Sequence, residues 1–104
     1  MVVRGPSMLP TVQDGDRLLV RWGAPPRAGR LAVVRLPDGD DGPRPLAVKR
    51  LVHRDADGWW VERDNPAQGV DSWQVGAVPE HDVRAVVVGR LWPRPGRRLP
   101  DPRG

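Results

Sequence analysis

The sequence predicts a mainly β fold, a single small antiparallel domain with little helix. Short runs rich in valine, leucine and tryptophan alternate with turn residues, and no helical period of useful length appears. Thirteen prolines and twelve glycines are spread between these runs as punctuation. At 104 residues the chain can build one modest core and has little room for a second.

Taken in order, Met1 to Arg4 reads as the first strand. Gln13-Asp14-Gly15-Asp16 turns the chain into the second, Arg17 to Trp22, and Gly23-Ala24-Pro25-Pro26 separates that from the third, Arg30 to Leu36. The stretch from Pro37 to Pro43 has the Asp/Gly/Pro chemistry that reverses a chain, and the fourth strand, Leu46 to Arg54, follows it. Asp55-Ala56-Asp57-Gly58 then predicts a hairpin with the fifth strand, Trp59 to Arg63. Pro79-Glu80-His81-Asp82 fits one helical turn before the sixth strand, Val83 to Trp92. From Pro93 onward there is nothing to bury and the chain is expected to fray. The folded domain is therefore residues 1–93, with 94–104 a Pro/Arg/Gly-rich tail expected to be disordered.

Composition removes several classes of function. With no cysteine there are no disulfides, thiolate metal sites or cysteine nucleophiles, and two histidines are too few for a protein metal site. No cofactor is expected. The net charge of +4 comes from scattered arginines, with no base-stacking motif beside them, which argues against nucleic acid as a partner. The longest strictly apolar runs, such as Ala85 to Val88, are four residues, far below the roughly 20 of a membrane helix. Met1 is followed by two valines and then Arg4, which is no signal peptide. These features predict a soluble, cytoplasmic protein with no membrane partner.

The inventory of reactive groups is short: two serines, Ser7 and Ser72, one threonine, Thr11, and no tyrosine. A serine hydroxyl is a poor nucleophile without a base to take its proton. The neutral bases on offer are His53, His81 and Lys49. Sixteen of the seventeen basic side chains are arginine and the remaining one is Lys49. Guanidinium does not usefully deprotonate, whereas a desolvated ammonium does, its pKa falling from about 10.4. Strand alternation puts Lys49 on one face with Ala47, Leu51 and His53, and Val48, Arg50 and Val52 on the other. Two states fit that placement: a buried amine among apolar neighbours, or a stem lying on the sheet with its head in water. Gly5-Pro6-Ser7-Met8 places Ser7 in a sharp turn just after a strand. Such a turn exposes a hydroxyl and can aim backbone N–H groups at one point.

Gly5-x-Ser7-Met8-x-Pro10-Thr11 resembles the nucleophile motif of the type I signal peptidases, which are Ser–Lys proteases. The resemblance continues in order through Gly15-Asp16-Arg17-Leu18-Leu19-Val20, Val48-Lys49-Arg50-Leu51, Asp64-Asn65-Pro66, Asp71-Ser72 and Gly76-x-Val78-Pro79. It implies a coiled, barrel-like antiparallel β domain of the signal-peptidase and LexA peptidase type. Carried over by position, Ser7 is the nucleophile and Lys49 the general base. The Ser7 backbone N–H supplies part of the oxyanion hole, with Gly5 where some members place a hydroxyl donor. Asp64, Asn65, Asp71 and Ser72 brace the lysine-bearing strand or are ordinary turn residues.

The chain departs from that pattern in places. The usual Gly-Asp-Asn is Arg63-Asp64-Asn65, and Gly69 stands where many members have a serine that bonds the amine, so Ser72 or a water is expected to substitute. Trp73 replaces the arginine after Asp71-Ser72, so an Asp–Arg ion pair is expected to be missing. No membrane helix precedes Ser7, and only 42 positions separate it from Lys49. In these respects, and at Arg21-Trp22-Gly23, Gly58-Trp59-Trp60-Val61, Asp64-Asn65-Pro66-Ala67 and Trp92-Pro93-Arg94-Pro95-Gly96, the chain resembles a short soluble branch. These are the actinobacterial peptidases that mature nickel-type superoxide dismutase. The partner this implies is a protein precursor with an N-terminal leader. Two alternatives share the fold: a self-cleaving domain of the LexA type, and a peptide-binding module without turnover.

Overall fold

Leu31 to Val34 is apolar at every position, and the reason is that both faces of its strand are covered. The computed structural model describes residues 1–3, 8, 11–37, 46–65, 67, 69–92, 95–96, 99 and 102. Five strands form one antiparallel sheet: β1 (Arg17–Trp22), β2 (Leu31–Arg35), β3 (Leu46–Asp55), β4 (Gly58–Glu62) and β5 (Val83–Trp92). Their order is β1-β5-β2-β3-β4, so β2 is central. Leu31 and Val33 point into a cluster with Val3, Met8, Val12, Leu18 and Val48. Ala32 and Val34 point the opposite way, into a cluster with Leu51, Trp59, Val61 and Val78. This is the mainly β antiparallel fold that alternation predicted.

Strands β1 and β5 have the expected bounds, and β2, β3 and β4 lie within one residue of theirs. The strand expected at Met1 to Arg4 is a single bridge, Val2 to Arg17, with Arg4 outside the described residues. The expected helical turn is a 3₁₀ turn, Glu80–Asp82. A four-residue helix, α1 (Ser72–Val75), was not anticipated. No helix among the described residues is long and apolar enough to cross a membrane.

The predicted hairpin joins β3 to β4. Asp57 N–H donates to Asp55 Oδ1 at 2.8 Å, and Gly58 closes the turn at φ +125°. A Cβ on Gly58 would collide with the Val78 carbonyl, so only glycine fits. Further along this pair the register shifts between Leu51 and His53: Leu51 faces Val61, while His53 faces Trp60. The extra residue, Val52, reverses which face the following side chains take. His53 therefore stacks on Trp60, ring centroids 6.0 Å apart, on the face opposite Leu51. The expectation that His53 shares the face of Lys49 fails for this reason.

Gly96 and Leu99 belong to the segment expected to fray, yet both are tied to the sheet. Arg90 and Gly96 exchange two backbone hydrogen bonds, of 2.7 and 3.0 Å. Leu99 packs on the first cluster and its carbonyl accepts from Arg50 Nη1 at 2.9 Å. Most of the remaining tail lies outside the described residues.

Candidate active site

Lys49 sits in β3 opposite Ala32 of β2, 3 % exposed. That burial selects the first of the two states open to it, the buried amine, with charged as well as apolar groups around it. Burial pushes its pKa below the ordinary lysine value. The Asp71 carboxylate pulls it back up, and the Arg63 guanidinium lowers it further. Burial and these two side chains thus act together on the charge of the amine.

Asp71 and Ser72 act on the strand beside β3. In an antiparallel edge strand alternate N–H groups point outward and need acceptors. Trp59 and Val78 satisfy each other through two 2.7 Å backbone bonds. Val61 N–H donates to Ser72 Oγ at 2.8 Å, and Arg63 N–H donates to Asp71 Oδ2 at 3.1 Å. Asp71 also caps α1: its Oδ1 accepts from Trp73 N–H, while Gln74 Oε1 accepts from Asp71 N–H, a reciprocal capping box. The Asp–Arg ion pair expected to be missing is present in another form. Arg63 Nη1 lies 3.4 Å from Asp71 Oδ2, because the position that lost its glycine carries an arginine beside Asp71.

Asp64 is bonded to Arg50, the neighbour of Lys49 in β3. Neighbouring side chains alternate, so Arg50 leaves the opposite face from Lys49 and is buried at 1 % exposure. Its Nη2 and Nε reach Asp64 Oδ2 and Oδ1 at 2.7 and 3.3 Å, and Nη1 donates to the carbonyls of Gly29 and Leu99. Asp64 also bonds to Thr11 and Met8. Thr11 Oγ1 donates to Oδ2 at 2.6 Å, and the Asp64 N–H donates to Met8 Sδ at 3.4 Å. Asn65 makes a local turn, accepting from Ala67 N–H at 3.0 Å. Gly69 has φ +98°, a conformation that strains any serine placed there. Gly5 and Ser7 lie outside the described residues, and Met8 is the described residue next to the serine.

A family model described as peptidase S24-like matches residues 1–90. The chain belongs to the peptidase S24-like family. Membership makes it a serine-type peptidase in fold and class, of the group that includes the signal-peptidase and LexA peptidase domains. Neither among curated proteins nor among solved structures was a match found. In this S24-like chain, three residues of the network were not singled out from sequence: Thr11, Arg50 and Arg63. The signal for Arg50 was available, since an arginine on the inward face of a β-strand requires a carboxylate.

Proposed function

We propose that this S24-like peptidase is a Ser–Lys endopeptidase that removes the N-terminal leader of a protein precursor. The observation that carries the reading is Lys49, the only lysine of the chain, buried and with a lowered pKa in a strand that Asp64 ties to Met8 beside Ser7. Neutral Lys49 takes the Ser7 proton as Oγ bonds to the scissile carbonyl carbon. In this reading the Ser7 backbone N–H supplies part of the oxyanion hole. The Lys49 ammonium returns its proton to the leaving amine, and water activated by Lys49 then hydrolyses the acyl-enzyme. Residues 1–93 form the catalytic domain in this reading, acting in the cytoplasm without a cofactor.

The edge of the sheet supports an extended substrate. Pairing of β3 with β4 ends at Arg50 and Glu62, so Leu46 to Lys49 have β2 on one side and no described strand on the other. A peptide added there pairs by its backbone and brings its carbonyl alongside the lysine position. The resemblance to the short soluble branch makes the precursor of nickel-type superoxide dismutase the substrate of choice. Purified protein is incubated with that precursor and the new N-terminus read by mass spectrometry. Ser7→Ala and Lys49→Arg abolish cleavage; undiminished cleavage by either variant refutes the dyad. Membership of the family also favours cleavage within the same chain as a second reading. A loss of mass by the protein alone, abolished by Ser7→Ala, would identify it.

A further inference from the structure

Arg21 pairs with Val86, Val86 with Ala32, and Ala32 with Lys49. Residues paired across strands project from the same face, so these four form one row across the sheet, from β1 to β3. Three strand spacings of about 4.8 Å separate its ends by about 14 Å. At the far end a pocket of about 220 Å³ opens over Val86 and Val88 and is lined by Arg21, Arg27 and Arg30. Arg30 lies on this face too, since its carbonyl accepts from Leu51 N–H at 2.9 Å and Leu51 belongs to the same cluster.

All three guanidinium side chains are exposed, and among the described residues no carboxylate pairs with them. Other arginines in and beside the sheet behave differently: Arg50, Arg54, Arg63, Arg84 and Arg90 each have an acidic partner, and Arg17 lies over the Trp92 ring. Three unneutralised forks around an apolar floor have the chemistry of a carboxylate site, in which the floor takes methylenes and the rim takes charge. The placement on the Lys49 face favours a group that belongs to the substrate.

We infer that Arg21, Arg27 and Arg30 form a subsite for an acidic stretch of the precursor, remote from the scissile bond. The inference rests on the leader-peptidase reading for its substrate. A separation of about 14 Å corresponds to at least four residues of extended chain, so the acidic side chains lie four or more residues from the cleaved bond. The contribution is to affinity and not to the chemical step, because none of the three arginines touches the reacting atoms.

Binding of fluorescein-labelled octaglutamate and octaglutamine peptides is measured by anisotropy on the full chain. The probes are run on wild type and on the Arg21→Gln/Arg27→Gln/Arg30→Gln variant, with oligothymidylate as a third. The expected result is binding of octaglutamate alone, weakened about tenfold or more in the variant, since each exposed charge contact contributes modestly. With the precursor, KM rises by a similar factor while kcat holds. Labelling of Ser7 by a serine-reactive probe is the same in both proteins. Equal binding of octaglutamate by the two proteins overturns the subsite, as does oligothymidylate binding tighter than octaglutamate. A wild-type protein that never labels at Ser7 defeats the peptidase reading instead, while the binding comparison still decides whether the arginines take carboxylates.

Discussion

Replacing Asp64 by alanine strands the buried Arg50 guanidinium. In the native protein that group is 1 % exposed and makes two bonds to Asp64, at 2.7 and 3.3 Å, with carbonyls of Gly29 and Leu99 taking Nη1. After Asp64→Ala the two carbonyls remain but the charge has lost its counter-ion, a change that costs about 3–5 kcal/mol at buried pairs. A domain of this size has roughly 5–15 kcal/mol in total, so the variant approaches the threshold of unfolding. The Thr11 hydroxyl loses its acceptor in the same step, while the Asp64 N–H to Met8 Sδ remains. Replacing both partners, Asp64→Leu with Arg50→Met, removes the unpaired charge and restores part of the loss, with a coupling of about 2 kcal/mol or more. Urea unfolding of wild type, both single variants and the double variant at one pH measures it. The reasoning fails if Asp64→Ala lies within about 1 kcal/mol of wild type, or if the two single effects simply add.

Lys49→Met abolishes cleavage and raises Tm at neutral pH, because it removes an amine whose charged form the interior disfavours. With a folded pKa below the unfolded one, native stability is greatest above the ordinary lysine value and is lost as pH falls through the folded value. The Tm advantage of the variant therefore shrinks on going alkaline, while wild-type activity rises over the same range; an advantage that grows with pH contradicts desolvation as the cause. Ser72→Ala leaves the Val61 N–H without its acceptor in the interior and lowers stability by about 1–3 kcal/mol in chemical denaturation. Gly58→Ala places a methyl group against the Val78 carbonyl at a positive φ and costs about 2 kcal/mol or more, read as a drop in Tm.

The strands were legible because their period and their turn residues agree, from Asp14-Gly15 through Asp57-Gly58 to the Pro79 turn. The helix α1 is too short to show a period, and only Asp71 with Gln74 three residues on marked it. Lys49 and Ser7 stood out by residue type and motif order. The partner of Asp71 did not, because Arg63 lies eight residues away across a turn rather than beside it. His53 was misplaced by one unpaired residue, Val52, since alternation counted through a bulge gives the wrong face. Asp64 was chosen as a brace, but its route through Arg50 depends on which strand end lies above which, and strand pairing is a property of the tertiary fold.

The Arg50–Asp64 pair also fixes which cation lies opposite Ala32. Lys49 and Arg50 are adjacent in β3 and face opposite sides of the sheet. A slip of β3 by one residue against β2 would put Arg50 opposite Ala32, where Lys49 now lies, and with it a guanidinium that never gives up its proton. The same slip would draw Arg50 away from Asp64 and put Leu51 in its place, leaving that carboxylate without its two-pronged contact. The ion pair on the other side of the strand is thus a register lock, and it is what keeps a titratable amine, and not its neighbour, on the Ala32 face.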